Sequence, residues 1–190
     1  MTDDPFFFGY GSLVNRHTHG HDDHYRAAVA GWRRVWRHSN TREVAFLSVH
    51  EAPGHSIAGL IAAVPDGDWA ALDRREHAYD RVMLTHTALQ HDHPARPEIH
   101  MYRARAAQVA TPSIRHPVLL SYLDTVIAGF VDIFGAKGAD GFFETTDGWD
   151  CPILDDREAP IYPRATRPGR AITDMVDLAT RDLGAEVFRR

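Results

Sequence analysis

The order of segments along the 190-residue chain predicts an α+β fold: a small closed or half-closed mixed β-barrel flanked by helices. Three observations carry that reading. Short apolar segments rich in aromatic and β-branched residues cluster before residue 105, and helical apolar spacing dominates after it. Few β-α-β alternations lie between the two, which disfavours a doubly wound parallel sheet. No internal repeat or low-complexity linker interrupts the chain, so residues 1–190 read as one domain. A chain of this length buries roughly 70% of its unfolded surface and needs no staples.

Pro5 to Gly9 is the first strand, aromatic and too short for a helix. The second spans Ala28 to His38, where Val29, Trp32, Val35 and Trp36 sit among arginines. Residues 44–50 (VAFLSVH) and 57–64 (IAGLIAAV) read as a hairpin across Pro53 and Gly54. Pro65-Asp66-Gly67 marks a turn, after which Asp68 is placed to N-cap a helix running to about Tyr79. Val82 to Leu89 and Glu98 to Ala104 give two more strands around the loop HDHPARP.

The clearest helix starts at Pro117, a suitable first helical position. Leu119, Leu123, Ile127, Phe130 and Phe134 recur along it at three- or four-residue spacing, as core or as subunit interface, and Gly135 ends it. Residues 138–170, rich in Gly, Pro and Asp, are expected to wrap the surface. A last helix begins near Ile172, capped by Thr173 or Asp174, and runs to about Leu183.

Composition excludes several classes. Hydrophobic residues make up 44% and charged residues 25%, as in an ordinary globular protein rather than a disordered or fibrous one. The net charge is −5 with no long block of one sign, which argues against nucleic acid or a polybasic membrane contact. A single cysteine, Cys151, rules out an internal disulfide framework and fits a reducing compartment. The N-terminal MTDDPFFFGYG starts acidic and is no secretion signal, and the run at 57–64 is too short to span a bilayer. A soluble, cytoplasmic protein is the expectation.

The stretch FFFGYGSL at 6–13 stops an aromatic strand at two glycines that bracket Tyr10. A dinucleotide fingerprint needs glycine or alanine where Val14 stands, and no acidic partner follows. A phosphate loop needs a Gly-Lys-Ser/Thr run, and a hydrolase elbow needs glycines where Tyr10 and Val14 flank Ser12. Two readings remain. The turn is only tight, or its amides from Tyr10 to Leu13 make a nest for an anion or a developing oxyanion.

A second feature bears on the choice. Trp69, Leu72, Glu76 and Tyr79 are spaced three, four and three, which puts a carboxylate on the core-facing stripe while Asp73, Arg74 and Arg75 face water. Burial disfavours the charged form of a carboxyl and makes it a better proton acceptor near neutral pH. The plainer alternative is a Glu76 that ends its helix and pairs with Arg81 or a surface arginine.

FFGYGSL together with Leu72-Asp73-Arg74-Arg75-Glu76 resembles the γ-glutamylcyclotransferase superfamily, in particular its ChaC-like branch. Weaker echoes are the tract Arg33–Thr41, Ala58-Gly59-Leu60 and, loosely, Ser121-Tyr122-Leu123-Asp124. The resemblance implies a mixed β-barrel with flanking helices and a reaction that needs no metal or organic cofactor. In that reaction the α-amine of a γ-glutamyl compound attacks its own γ-carbonyl, releasing 5-oxoproline and a free amine or peptide. The same resemblance gives Glu76 the acid/base role. It places substrate against Tyr10, Gly11, Ser12 and Leu13, while Tyr79 and Arg81, in a segment that departs from the family pattern, are expected to shape the pocket beyond the glutamyl unit. After Glu76 the ChaC-like pattern usually carries a glycine-containing stretch, where this chain has His77-Ala78-Tyr79-Asp80-Arg81. Glutathione is therefore one candidate substrate, and a non-catalytic relative binding an acidic metabolite is the alternative function.

Thirteen histidines are present, four of them in HTHGHDDH at 17–24. His17 and His21 would meet on one helical turn as metal ligands, but Gly20 and the adjacent acids point to a solvated loop, and no metal is assigned. His91 and His93 are read likewise. Cys151 reads as packed, and Tyr102 and Tyr162 as packing residues with pocket lining as the alternative.

Overall fold

Phe6–Gly9 forms β1, and all four residues are buried. The reason is its place in the middle of a seven-stranded mixed sheet covered on both faces. Phe6 and Phe8 point into one apolar cluster with Leu60, Leu123, Ile127 and Phe130, while Phe7 points the other way into a cluster with Leu13, Leu72 and Tyr102. Period-two alternation thus buries three consecutive phenylalanines. The computed structural model describes residues 4–39, 42–105, 113 and 115–189.

The elements follow as β2 (His24–Arg37), β3 (Phe46–Ala63), α1 (Ala70–Arg75), β4 (Tyr79–Met83), β5 (Leu89–His91) and β6 (Ile99–Ala104). Then come β7 (Val118–Leu119), α2 (Leu120–Phe134), α3 (Ala136–Glu144), β8 (Thr146–Asp147), β9 (Ile153–Leu154), α4 (Arg170–Asp182) and β10 (Val187–Phe188). The main sheet runs β4-β6-β1-β3-β2-β5, with β8 added to β2. β1 is antiparallel to β3 and parallel to β6. A small parallel sheet, β10-β9-β7, lies apart.

The α+β class and the mixed sheet are as predicted, but the barrel is not closed. Among the described residues no pairing joins the edge strands β4 and β5. The predicted hairpin at 44–64 is instead one long strand, β3, whose two halves pair with β2 in the same direction. Pro53 and Gly54 fall in an irregularity where the register jumps from Ala30↔Ser56 to Trp32↔Glu51. Their turn signal makes a bulge, not a reversal.

Residues 82–89 are split between β4, a 3₁₀ turn at His86–Ala88, and β5, so the single strand expected there is absent. The segment 138–170, expected to wrap the surface, instead holds most of α3 together with β8 and β9. Two glycines in the nine residues of α3 dilute its propensity, yet Ala139, Phe142 and Phe143 bury one face. α2 ends at Gly135, which has φ 72°, as the sequence predicts.

Candidate active site

The site is built where β1 ends. Beside it, a Cβ on Gly59 of β3 would lie 2.3 Å from the Gly9 carbonyl oxygen and 2.6 Å from the Phe8 ring, so only glycine lets these backbones meet. Past Gly9 the chain enters a 3₁₀ turn at Ser12–Val14, closed by Val14 N–H donating to Gly11 O at 2.9 Å. A second 3₁₀ turn at Arg16–Thr18 follows.

Side chains from distant elements fix this double turn. Asn15 Nδ2 donates to Thr125 O of α2 at 2.8 Å, and Thr18 Oγ1 donates to Ser12 O at 2.8 Å. His19 Nε2 donates to Leu13 O at 3.1 Å. Tyr10 Oη donates to Tyr102 O at 2.7 Å, and Arg34 Nε donates to Tyr10 O at 2.7 Å. Gly11 faces Tyr122: a Cβ there would lie 2.7 Å from the Tyr122 hydroxyl and 3.1 Å from Leu47 Cδ2. The missing side chain keeps open the space between turn and walls.

Glu76 arrives from the other direction. α1 spans only Ala70–Arg75, so the helix predicted through Tyr79 stops early. Asp68 Oδ1 accepts from Ala70 N–H at 3.0 Å, but the N-cap position expected of Asp68 falls one residue on, at Trp69, whose side chain makes no capping bond. Glu76 closes the helix with its N–H on Leu72 O at 2.8 Å, and its own carbonyl accepts from Tyr79 N–H at 2.8 Å as β4 begins. The apolar stripe survives the shortening, because Trp69 and Tyr79 pack against the cluster that holds Leu72.

Arg75 does not face water. Its side chain is 9% exposed and that of Glu76 17%, with Arg75 Nε 3.0 Å from Glu76 Oε1. The same guanidinium donates to Thr18 O at 2.9 Å and Ser12 Oγ at 3.2 Å, tying the carboxylate to the glycine turn. Glu76 therefore ends its helix and pairs with an arginine, as in the plainer reading, but the partner is Arg75 and the pair is largely withdrawn from water beside the turn.

A cavity of about 40 Å³ is lined by Tyr10, Gly11, Ser12, Leu13, Glu76 and Tyr79, together with Leu47, Tyr102 and Tyr122. Burial pushes the Glu76 carboxyl above its ordinary value, and the Arg75, Arg164 and Arg42 charges oppose that rise without cancelling it. Burial also raises the Tyr10, Tyr79 and Tyr122 hydroxyls, so they stay protonated and donate. Tyr79 Oη donates to Leu47 O at 2.9 Å. Tyr122 sits in the first turn of α2, where buried Asp156 accepts from Ser121 N–H at 2.9 Å and from Ser121 Oγ at 2.6 Å.

Arg81 stands apart. Its Nε is 3.3 Å from Asp73 Oδ1, its guanidinium lies 4.2 Å from the Trp69 ring centroid, and it borders a separate groove with His77 and Arg105. Tyr102 lines the cavity, whereas Tyr162 packs edge-on against Tyr122 with centroids 5.0 Å apart.

The histidine-rich segment is not an open loop. His19 and His21 stand edge-on to Phe7, and His21 Nδ1 lies 2.7 Å from Ala63 O. Burial pulls His19 down to about 4, so it is neutral at physiological pH. Among the described residues no group of three or more His, Cys, Asp or Glu is placed to hold a metal ion. Cys151 is buried and its thiol is pushed up to about 12. No described helix is long and apolar enough to cross a membrane.

Comparison with known proteins places these features in context. The family described as gamma-glutamyl cyclotransferase, AIG2-like, matches residues 7–117, more than half of the chain. That description does not single out the ChaC-like branch. No curated protein matches by sequence. Among solved structures, YkqA from Bacillus subtilis superposes with a TM-score of 0.57 at 13% identity, over 73% of this chain and 52% of its own. The chain thus spans about half the length of YkqA. A protein called gamma-glutamyl cyclotransferase gives 0.55 at 12% identity, over 92% and 99% of the two chains. The uncharacterized protein loc79017 from Homo sapiens gives 0.56 at 12% identity, over 93% and 99%. At these identities the structural likeness shows the shared fold.

Proposed function

The chain belongs to the gamma-glutamyl cyclotransferase, AIG2-like family, and from that membership we propose that it converts a γ-glutamyl peptide or amine to 5-oxoproline and the free amine. One observation carries the reading: a largely buried carboxyl of raised pKa, Glu76, shares a small cavity with the Tyr10–Leu13 turn.

The chemistry asks little else of a protein. Nucleophile and electrophile belong to one substrate, so holding it folded supplies on the order of 7–11 kcal/mol of the barrier. Glu76 takes a proton from the α-ammonium. The freed amine forms a C–N bond to the γ-carbonyl carbon, and the carbonyl electrons move to oxygen. As they return, the γ-amide C–N bond breaks, Glu76 delivers the proton to the departing nitrogen, and the ring nitrogen gives up its second proton to solvent, leaving the neutral lactam. Amides of the turn hold the oxyanion or the substrate carboxylate; loss of one well-placed donor costs about 3 kcal/mol. In this reading the glutamyl unit lies against the turn and the leaving group at the cavity mouth. Glutathione, γ-glutamyl amino acids and γ-glutamyl amines differ only in that outer part.

The catalytic reading is favoured over simple binding of an acidic metabolite by the same carboxyl. An anion-binding pocket gains nothing from a second buried carboxylate. The test is to incubate the protein with a panel of γ-glutamyl peptides and amines, glutathione included, and to measure 5-oxoproline. Production from at least one member supports the proposal, and silence across the panel with folded protein overturns it in favour of the binding relative.

A further inference from the structure

Arg34 of β2 is wholly buried and, among the described residues, has no carboxylate partner. Its guanidinium donates to three neutral acceptors: Tyr10 O at 2.7 Å, Thr145 Oγ1 at 2.6 Å, and Ala58 O. The rings of Phe130 and Phe142 flank it, with centroids 5.0 and 5.1 Å from its central carbon. Burial lowers its pKa to about 9, so it is charged at neutral pH. A cation stripped of water without a counterion is costly, and an apolar residue would fill the same core space without that cost.

What the cation touches explains its presence. Tyr10 O belongs to the peptide that joins Tyr10 to Gly11, and no peptide bond in the described chain is cis. In a planar trans peptide the C=O and N–H point in opposite directions. Pinning Tyr10 O onto the buried guanidinium therefore turns the Gly11 N–H away from the core, and Gly11 lines the cavity that holds Glu76. Among the described residues this N–H makes no hydrogen bond. A positive charge on the carbonyl end also polarises the peptide and strengthens its N–H as a donor.

We propose that Arg34 is a positioning residue that orients and polarises the Tyr10–Gly11 peptide, making the Gly11 N–H the donor that meets the developing oxyanion. Its effect on turnover rests on the cyclisation reading, whereas its effect on the Gly11 amide does not.

The experiment follows the Gly11 amide resonance in ¹⁵N-labelled protein while L-glutamate is titrated in. The parent is compared with Arg34→Gln, which keeps a donor without charge, and with Arg34→Lys, which keeps the charge. In the parent the Gly11 proton should move downfield on saturation. In Arg34→Gln it should start upfield and respond little, and in Arg34→Lys it should fall between. Against a substrate the parent turns over, Arg34→Gln should lose about 10²-fold in kcat with KM within about threefold, and Arg34→Lys should recover part of the loss. If Arg34→Gln does not fold, Thr145→Val removes one acceptor of the guanidinium and should shift the Gly11 resonance the same way by less. A Gly11 amide that ignores L-glutamate in the parent, or behaves identically in parent and variants, overturns the inference. A parent that yields no 5-oxoproline yet shows the Arg34-dependent amide shift sinks the cyclisation reading and leaves the positioning of Gly11 intact.

Discussion

Replacing Glu76 by glutamine exchanges one carboxylate oxygen for an amide nitrogen, nearly without change of volume, and removes both the charge and the transferable proton. General acid/base catalysis of this kind supplies roughly 10²–10⁴ in rate, or about 3–5 kcal/mol, so kcat should fall by that factor while KM changes little. A second consequence follows from burial. The folded-state pKa of Glu76 is raised above its ordinary value of 4.5. The folded protein therefore keeps the Glu76 proton over a window in which the unfolded chain has lost it. Stability from this group is full below the ordinary value and is lost as pH rises through the raised one. Glutamine carries no such dependence, so the variant should gain stability relative to the parent as pH increases across that window, then hold a constant difference. The assay pairs initial rates of 5-oxoproline release with thermal melts from pH 4 upward. A variant that keeps more than about a tenth of the parent's kcat, or a stability difference that shrinks as pH rises, would refute the assignment.

Three further outcomes are expected. Arg75→Met removes a charge that holds the Glu76 pKa down, so the alkaline-going rise in rate should move to higher pH, and kcat should drop about tenfold as Ser12 and Thr18 lose their tie; an unmoved pH–rate profile would contradict this. Gly11→Ala puts a Cβ 2.7 Å from the Tyr122 hydroxyl, which should cost about 1–3 kcal/mol in a denaturation curve, and adding Tyr122→Phe should restore part of it. Asp124→Asn breaks a buried pair in which Arg157 donates at 2.7 and 2.8 Å, and melts should report a loss of about 3–5 kcal/mol.

Local patterns in the sequence expose much of this architecture. The three-four-three spacing places Glu76 on an apolar face although α1 is far shorter than predicted, because Trp69, Leu72 and Tyr79 bury together whether or not every intervening residue is helical. The glycine turn is legible because no side chain fits at Gly11 or Gly59. What local patterns do not expose is pairing over long range. Pro53 and Gly54 carry a turn signal, and only the partner strand β2, with Ala30 and Trp32 on either side of the register jump, makes it a bulge. Barrel closure likewise depends on whether two distant edges meet. Arg75 reads as a surface charge and nothing marks Arg34 out among the arginines of its strand, since their acceptors, from the Tyr10 and Ala58 carbonyls to Ser12, Thr18 and Thr145, lie 24 to 111 residues away. Arg81 shows the converse. Its nearness to Glu76 in sequence suggests a shared pocket, but β4 carries it one step past Tyr79 on the same face, where it lies over Trp69 and pairs with Asp73 in the neighbouring groove.

The claim that the glutamyl amine, rather than water, attacks the γ-carbonyl is tested most directly by running the reaction in ¹⁸O-labelled water with whichever γ-glutamyl compound turns over, and weighing the acyl product. The account predicts 5-oxoproline in one-to-one amount with the released amine, carrying no label. Glutamate with ¹⁸O in its γ-carboxyl would show attack by water, and Glu76 and the glycine turn would then serve a hydrolase.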